Sequence, residues 1–386
     1  MVTKEAPLSR RDILKVLGLL GLSSGDLVAM PGCGVYEAEQ GAPFEPWDFP
    51  GRETVPERVA ARAALLASSP HNTQPWAIGI LPTTLELRAR FDRNLGAMDS
   101  LRREMHIGLG CALENMVIAA RATGRAAQVE LLPLAADPAL VARVELTPGA
   151  PDRGPLFDAI ARRHTNRGAY ADAPPSPGLE AALRALVDEP TVSLHWLATP
   201  ELRARFREQT VSATEAIVHD AEMSADSERW YRHSSEDIAR DRDGTTLDAT
   251  GNGAVTRTFG KALGRPSVDT ANEYWLDATR GRQTTGSAFV ILSSSRDSSR
   301  ADQLRVGRIY QRLHLWATAQ GLAMQPLNQL AERQDREESK ALEPRFTRVL
   351  AELVGEDRRA QMLFRIGYPW DEAFASPRRP LAWVLA

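Results

Sequence analysis

Ser68-Ser69-Pro70-His71-Asn72-Thr73-Gln74-Pro75-Trp76 and Arg162-Arg163-His164-Thr165-Asn166-Arg167 are the two stretches on which the reading of this 386-residue chain turns. In the first, Pro70 and Pro75 stiffen a loop ahead of an apolar strand. The Asn72 and Gln74 amides and the Ser69 hydroxyl both donate and accept, which suits the alternating N–H and C=O edge of a planar heterocycle. Trp76 reads as core. In the second, Arg163, Thr165 and Arg167 stand at i, i+2 and i+4, where two forked guanidiniums and a hydroxyl can converge on one phosphate. Each stretch also has a plainer reading, the first as a helix-to-strand loop and the second as a solvated helix end.

Outward from the first stretch, Pro56 suits the first turn of a helix running to about 68. Residues 34–55, rich in Gly, Pro and aromatics, read as an extended lead-in. Strands are expected at 76–81 and 85–91, the second with Leu85, Leu87, Ala89 and Phe91 turned inward. A helix over about 100–123 buries Met105, Leu109, Ala112, Met116 and Ala119, and Gly124 fits its left-handed cap. Strands near 127–133 and 142–147 complete a first half, 56–150, closed by the seam Thr147-Pro148-Gly149-Ala150-Pro151.

The second half, 151–386, opens with a helix carrying the arginine stretch at its end. Ala288 to Leu292 is a strongly apolar strand, and a helix over about 300–320 places Val306, Ile309, Leu313 and Trp316 on one face, with Gly321 as its cap. The helix ends Ala119 to Gly124 and Trp316 to Gly321 share a texture, so the halves read as distant copies of one unit. Residues 222–283 are polar and aperiodic yet carry Trp230, Tyr231 and Trp275, which marks a partly helical lid inserted in the second half. Two further segments could meet a ligand. The turn Gly321-Leu322-Ala323-Met324-Gln325-Pro326-Leu327-Asn328-Gln329 could offer backbone N–H groups at Leu327 and Asn328. The terminal Pro377-Arg378-Arg379-Pro380-Leu381 is either a phosphate contact or soluble surface.

Composition sets the limits. With 43% hydrophobic and 25% charged residues the chain is ordinary globular material, and a formal charge of −3 gives no electrostatic case for nucleic acid. Two cysteines exclude a disulfide scaffold, and the seven histidines include no chelating spacing. Cys111 reads as a small buried apolar residue. At the N-terminus, Ser9-Arg10-Arg11-Asp12-Ile13-Leu14-Lys15 and the weakly apolar Val16 to Leu22 resemble a twin-arginine export signal, so residues 1–33 stand apart from the fold. Met30-Pro31-Gly32-Cys33 has the Gly-Cys of a lipoprotein cleavage site, while Met and Pro fit that site poorly, and lipidation of Cys33 is left open.

Taken jointly, the Asn-x-Gln-Pro-Trp loop, the arginine-hydroxyl-arginine motif, a long helix, the Gly-Leu…Pro-Leu turn, Ile366-Gly367-Tyr368-Pro369 and the final Arg-Arg-Pro-Leu resemble the nitroreductase family of FMN flavoproteins, in particular its single-chain, Acg-type branch. The resemblance implies an α+β fold, a nitroreductase-like α/β/α sandwich whose two pseudo-symmetric halves in one chain mimic the family's dimer. It also implies one FMN between the halves. Arg163, Thr165, Arg167 and Arg378 or Arg379 would hold the phosphate, Ser69, Asn72 and Gln74 would border the ring, and the Leu327-Asn328 backbone would approach the flavin N5. No catalytic side chain is implied, because a flavin supplies the hydride chemistry. The expected function is an exported, periplasmic or envelope FMN oxidoreductase with a small-molecule donor and acceptor, delivered folded by the twin-arginine machinery. A flavin storage, sequestration or sensor protein with an occluded site is the alternative. No transmembrane span is expected.

Overall fold

The computed structural model describes residues 36–386, so the twin-arginine segment and Cys33 lie outside the described residues. Two four-stranded antiparallel sheets form, one from each half of the chain. The first comprises β1 (Trp76–Leu81), β2 (Thr84–Ala89), β3 (Arg125–Leu131) and β4 (Leu140–Pro148), in the order β1-β2-β4-β3. After β5 (Ser193–Leu197) come two short strands, β6 (Tyr231–Arg232) and β7 (Thr245–Thr246), which pair only with each other. Then β8 (Ala288–Ser295), β9 (Ala323–Pro326) and β10 (Arg358–Gly367) complete the second large sheet as β5-β8-β10-β9. Counted within its own half, each sheet runs first-second-fourth-third.

The helices repeat as well. α1 (Pro56–Leu65) starts at Pro56 as expected, and α2 (Arg103–Ala122) joins the second strand of the first sheet to the third. In the second half, α3 (Pro200–Val218) follows β5, and α4 (Arg300–Ala319) occupies the place that α2 holds in the first. Both 20-residue helices end before a left-handed glycine, Gly124 at φ 79° and Gly321 at φ 72°. They cross where Gly110 meets Gly307, each the eighth residue of its helix. A Cβ on Gly110 would fall 2.1 Å from the Leu304 carbonyl oxygen, and one on Gly307 would fall 2.0 Å from that of Ile107. Only glycine lets the two backbones touch. The Cys111 thiol then reaches the Gly307 carbonyl at 3.3 Å, and the Gln311 amide donates to Asn115 at 2.9 Å.

α1, α2 and α4 lie between the two sheets, in a core that includes Ile78, Leu85, Val144, Val290, Leu292 and Phe364. α5 (Gln329–Lys340) and α6 (Arg345–Val354) join α3 on the outer face of the second sheet, where Phe289, Ile291 and Leu363 meet Phe206, Leu330 and Phe346. Strand alternation sends Val290 and Leu292 one way and Phe289 and Ile291 the other. That is why this strand is apolar throughout. β2, with one covered face, alternates buried and half-buried residues instead.

Three local outcomes differ from the sequence reading. α2 begins at Arg103 because a 3-10 turn, Gly96–Asp99, precedes it and the Asp99 carboxylate caps the Glu104 and Met105 N–H groups, each at 2.9 Å. The arginine stretch is not at the end of a regular helix. Pro155–Ala159 tightens into the 3-10 turn Ile160–Arg162, and the chain turns extended at Arg163. Residues 222–283 are more helical than expected, with helices Ala221–Glu228, Ser235–Asp241, Ala254–Leu263 and Val268–Ala278. After β10 the chain returns to the first half. Arg378 N–H donates to Pro43 at 2.7 Å, and Ala386 N–H reaches Ile78 of β1 at 3.0 Å. No helix among the described residues is long and apolar enough to cross a membrane.

Candidate functional site

A cavity of about 680 Å³ opens between the halves. The first half contributes Ser68 to His71 and one side of α2, namely Glu104, Ile107, Gly108 and Cys111. The second contributes Thr165, Arg167, Tyr310, Gln325, Pro326, Asn328, Gln329, Glu332 and Met362. More than half of the lining comes from 224–283, including Tyr231, Phe259, Tyr274 and Trp275. The insertion therefore roofs the space between the two units.

The Asn-x-Gln loop is a strained junction. His71, Asn72 and Gln74 all have positive φ, at 44°, 56° and 50°, a conformation that costs free energy and persists only where its surroundings enforce it. The enforcing bonds are the two amides. Asn72 Nδ2 donates to Gly244 O at 3.0 Å and Pro377 O at 2.9 Å, while its Oδ1 accepts from Arg378 at 2.6 Å. Gln74 Nε2 donates to Arg242 O at 2.9 Å, and its Oε1 accepts Arg379 N–H at 2.9 Å. Both amides thus tie the loop to the insertion and to the C-terminal segment, and neither residue lines the cavity. Ser69 does line it, with its Oγ accepting the Gln74 N–H at 3.1 Å.

Beneath the loop, Arg163, Arg167 and Arg378 form a cluster of positive charge with no carboxylate among the described residues acting on them. Arg163 is buried, and its Nη2 donates to the Leu66 carbonyl at 3.0 Å, but Nε and Nη1 have no partner. Arg378 is also buried, held by carbonyls and the Trp47 ring 4.7 Å away, with its Nε unpartnered. Arg167, on the cavity wall, donates to Ala249 O at 3.0 Å. Arg379 lies apart, beside Arg90, Arg93, Asp92 and Asp243, and donates to Trp383 O at 2.9 Å. Burial, then Arg167, pushes Arg163 down to about 10. Burial and Arg163 lower Arg378. His71 is pushed down to about 4 by burial and Arg167, and His164 to about 3 by burial, Arg163 and Arg378. Every basic group here is driven toward neutrality, which is what happens when guanidiniums lose water and gain no anion.

The structure therefore brings Ser69, Thr165, Arg167 and Asn328 onto the cavity wall, with Arg163 and Arg378 just behind it. Leu327 stands apart: it is fully buried in the outer core, and its N–H extends the sheet by donating to Leu363 O at 2.7 Å. Asn328 opens α5, where first-turn N–H groups lack partners within the helix. Its Oδ1 accepts Leu363 N–H at 2.9 Å.

Sequence reasoning missed Tyr310, Glu104 and Glu332. Tyr310 sits on the buried face of α4, where it reads as core, and burial raises its hydroxyl far above the usual range. Glu104 and Glu332 lie in charged helical runs that read as solvated faces, yet both are buried on the cavity wall. No spacing signal in the sequence distinguishes them.

No family model matches the chain. Among curated relatives, "Putative NAD(P)H nitroreductase Rv3131" of Mycobacterium tuberculosis H37Rv is 31% identical over 348 residues, which is 87% of this chain and 92% of the relative. "Putative NAD(P)H nitroreductase acg" of the same organism is 29% identical over 339 residues, or 84% of this chain and 93% of the relative. Among solved structures, the FMN- and NADPH-dependent nitroreductase NfnB of Sphigopyxis sp. strain HMH aligns with 60% of this chain and 97% of its own, at 19% identity and a TM-score of 0.37. A nitroreductase with bound FMN from Desulfitobacterium hafniense aligns with 59% and 95%, at 12% identity and a TM-score of 0.36. On the likeness to its mycobacterial relatives over most of both lengths, this chain belongs to the nitroreductase family, in its Acg-type branch.

Proposed function

We propose that this protein is an exported FMN-dependent oxidoreductase that passes two electrons through one flavin held between its halves. The observation that carries the reading is the set of buried guanidiniums. Arg163 and Arg378 carry unpartnered buried N–H groups close to Arg167, which lines the cavity with Thr165, and among the described residues none of these three arginines has a carboxylate partner. A phosphate there would supply the missing anion and the missing acceptors together. The resemblance to the nitroreductase family implies a flavin phosphate at this motif, and the mycobacterial relatives carry nitroreductase names.

FMN bound in this cavity would supply hydride transfer to and from small molecules. The chain's own part is binding and orientation. Arg163, Arg167 and Thr165 hold the phosphate, and Ser69 and Asn328 border the remaining space. Asn72 and Gln74 act one step back by holding the strained loop, the insertion and the C-terminal segment in register. The roof from 224–283 keeps bulk water from the ring.

Purified protein should be yellow, and Arg163→Ala with Arg167→Ala should remove the colour while the chain stays folded by circular dichroism. A colourless parent that takes up no FMN would end this reading. Export is supported by the Arg10-Arg11 pair and the apolar stretch behind it. Lys at both arginines should trap the protein in the cytoplasmic fraction, and unchanged fractionation would refute it. A second reading, flavin storage or sensing without turnover, is favoured by the extent of the roof. Anaerobic NAD(P)H followed by a quinone decides between the two, because cyclic bleaching and recovery of the flavin band excludes storage.

A further inference from the structure

The wall of the cavity around Asn328 has the opposite electrostatic character from the arginine cluster. Glu104 of α2 and Glu332 of α5 both line the cavity, and each is only 6% exposed. They face the same cavity from opposite halves, and Glu104 is the charged group that acts most strongly on Glu332. Asp99 and Asp335 stand close behind them.

The cations on this wall are already committed. Arg103 donates to Asp335 at 2.7 Å and to Glu104 at 3.1 Å, and its remaining arm reaches the Gln361 carbonyl. Arg359 donates to Asp335 at 2.7 Å. Asp99 is occupied by the backbone N–H groups at the start of α2 and by Asn94. Among the described residues no donor reaches the buried Oε2 of Glu332. Two buried carboxylates facing one cavity repel, and one proton held on the pair removes both the repulsion and the orphaned acceptor. Burial raises Glu332 well above the usual carboxylate range, and Glu104 adds to it.

We propose that Glu104 and Glu332 share one proton at neutral pH and that this pair is the proton donor to the substrate reduced in the cavity. The proposal rests on the oxidoreductase reading above. Reduction of a quinone to its hydroquinone adds one hydride and one proton. With the hydride supplied by the flavin that the cavity would hold, the proton of the Glu104–Glu332 pair would pass to the quinone oxygen. The pair is left as two carboxylates, and solvent returns the proton before the next turnover. The groups that set its titration are Asp99 and Arg103 from the start of α2, and Asp335, with Arg359 behind it, from α5 and β10.

The test uses the full chain as purified. Infrared difference spectra of the parent minus Glu332→Gln at neutral pH should show a protonated carboxyl C=O band, beyond any contribution of Asp99 common to both. The same variant should keep its flavin colour and lose quinone reduction roughly 100-fold or more, the scale of a missing general acid. Glu104→Gln should also abolish the band, which keeps the test open if one variant fails to fold. A yellow Glu332→Gln protein with the band intact, or with unchanged quinone reduction, overturns the proposal. A parent without flavin fails the oxidoreductase reading instead, and the infrared band still reports on the pair.

Discussion

Arg103 and Arg163 are almost equally buried, at 1% and 2% exposure, yet they teach opposite lessons. Burial works against the charge of Arg103, but Asp335, Glu104 and Asp99 outweigh it and raise its pKa. Arg163 meets the same burial with a carbonyl on one arm, a second guanidinium nearby, and no carboxylate. A buried charge whose partners belong to the chain is part of the scaffold. One left without an anion marks where the chain expects a ligand, because desolvation is costly until something opposite in sign arrives.

The sharpest way to break this contrast is to remove each side chain from flavin-free protein. Arg103→Leu strands Glu104 and leaves Asp335 with Arg359 alone, and should cost about 3–5 kcal/mol of stability by urea unfolding. Arg163→Leu removes a charge that nothing opposes, and should leave the unfolding midpoint unchanged or higher. Equal losses would show that Arg163 is also scaffold.

A smaller effect is expected at the contact between the halves that carries no charge. Gly307→Ala places a Cβ 2.0 Å from the Ile107 carbonyl oxygen, so α2 and α4 must separate. The cost should be at least about 1–3 kcal/mol, the range for overpacking, and the cavity between the halves should lose flavin affinity with it. A variant as stable as the parent would mean the crossing is looser than its geometry.

The smallest effect is on pH. Burial holds His71 and His106 down to about 4, so both remain neutral in the native state while the unfolded chain protonates them below its ordinary 6.5. Their contribution is present above pH 6.5 and lost as pH falls toward 4. Asp99, held up to about 7 by burial and Glu104, tilts the opposite way, losing stability as pH rises from 3.8 toward 7. Replacing both histidines with Asn should therefore flatten the acid-side loss relative to the parent. An unchanged slope would show that the two rings are solvated.

How much of this was legible beforehand depended on whether a signal was local. The Pro56 helix start, the Gly124 and Gly321 caps and the apolar β8 were legible because caps and periodicity act over a few residues. The insertion was recognisable by its lack of period, although its four helices were not. Asn72 and Gln74 were singled out as amides with something to bind, but their partners lie about 170 and 300 residues away, beyond the reach of any local pattern. The charged run of α5 carries no apolar period to show that 8 of its 12 residues are buried, because α3, α6 and the second sheet close over it.

By itself, then, the sequence determined two units of similar pattern, an inserted segment between their parts, and which short stretches hold forked donors and amides. Tertiary structure alone decided that the units share one strand order and cross at a glycine pair, that the amides brace a strained loop, and that Glu332 meets Glu104. The division has a physical cause. Hydrophobic period and backbone conformation are properties of neighbours along the chain. A buried charge has no fixed meaning until folding decides which opposite charge, carbonyl or empty space it will face.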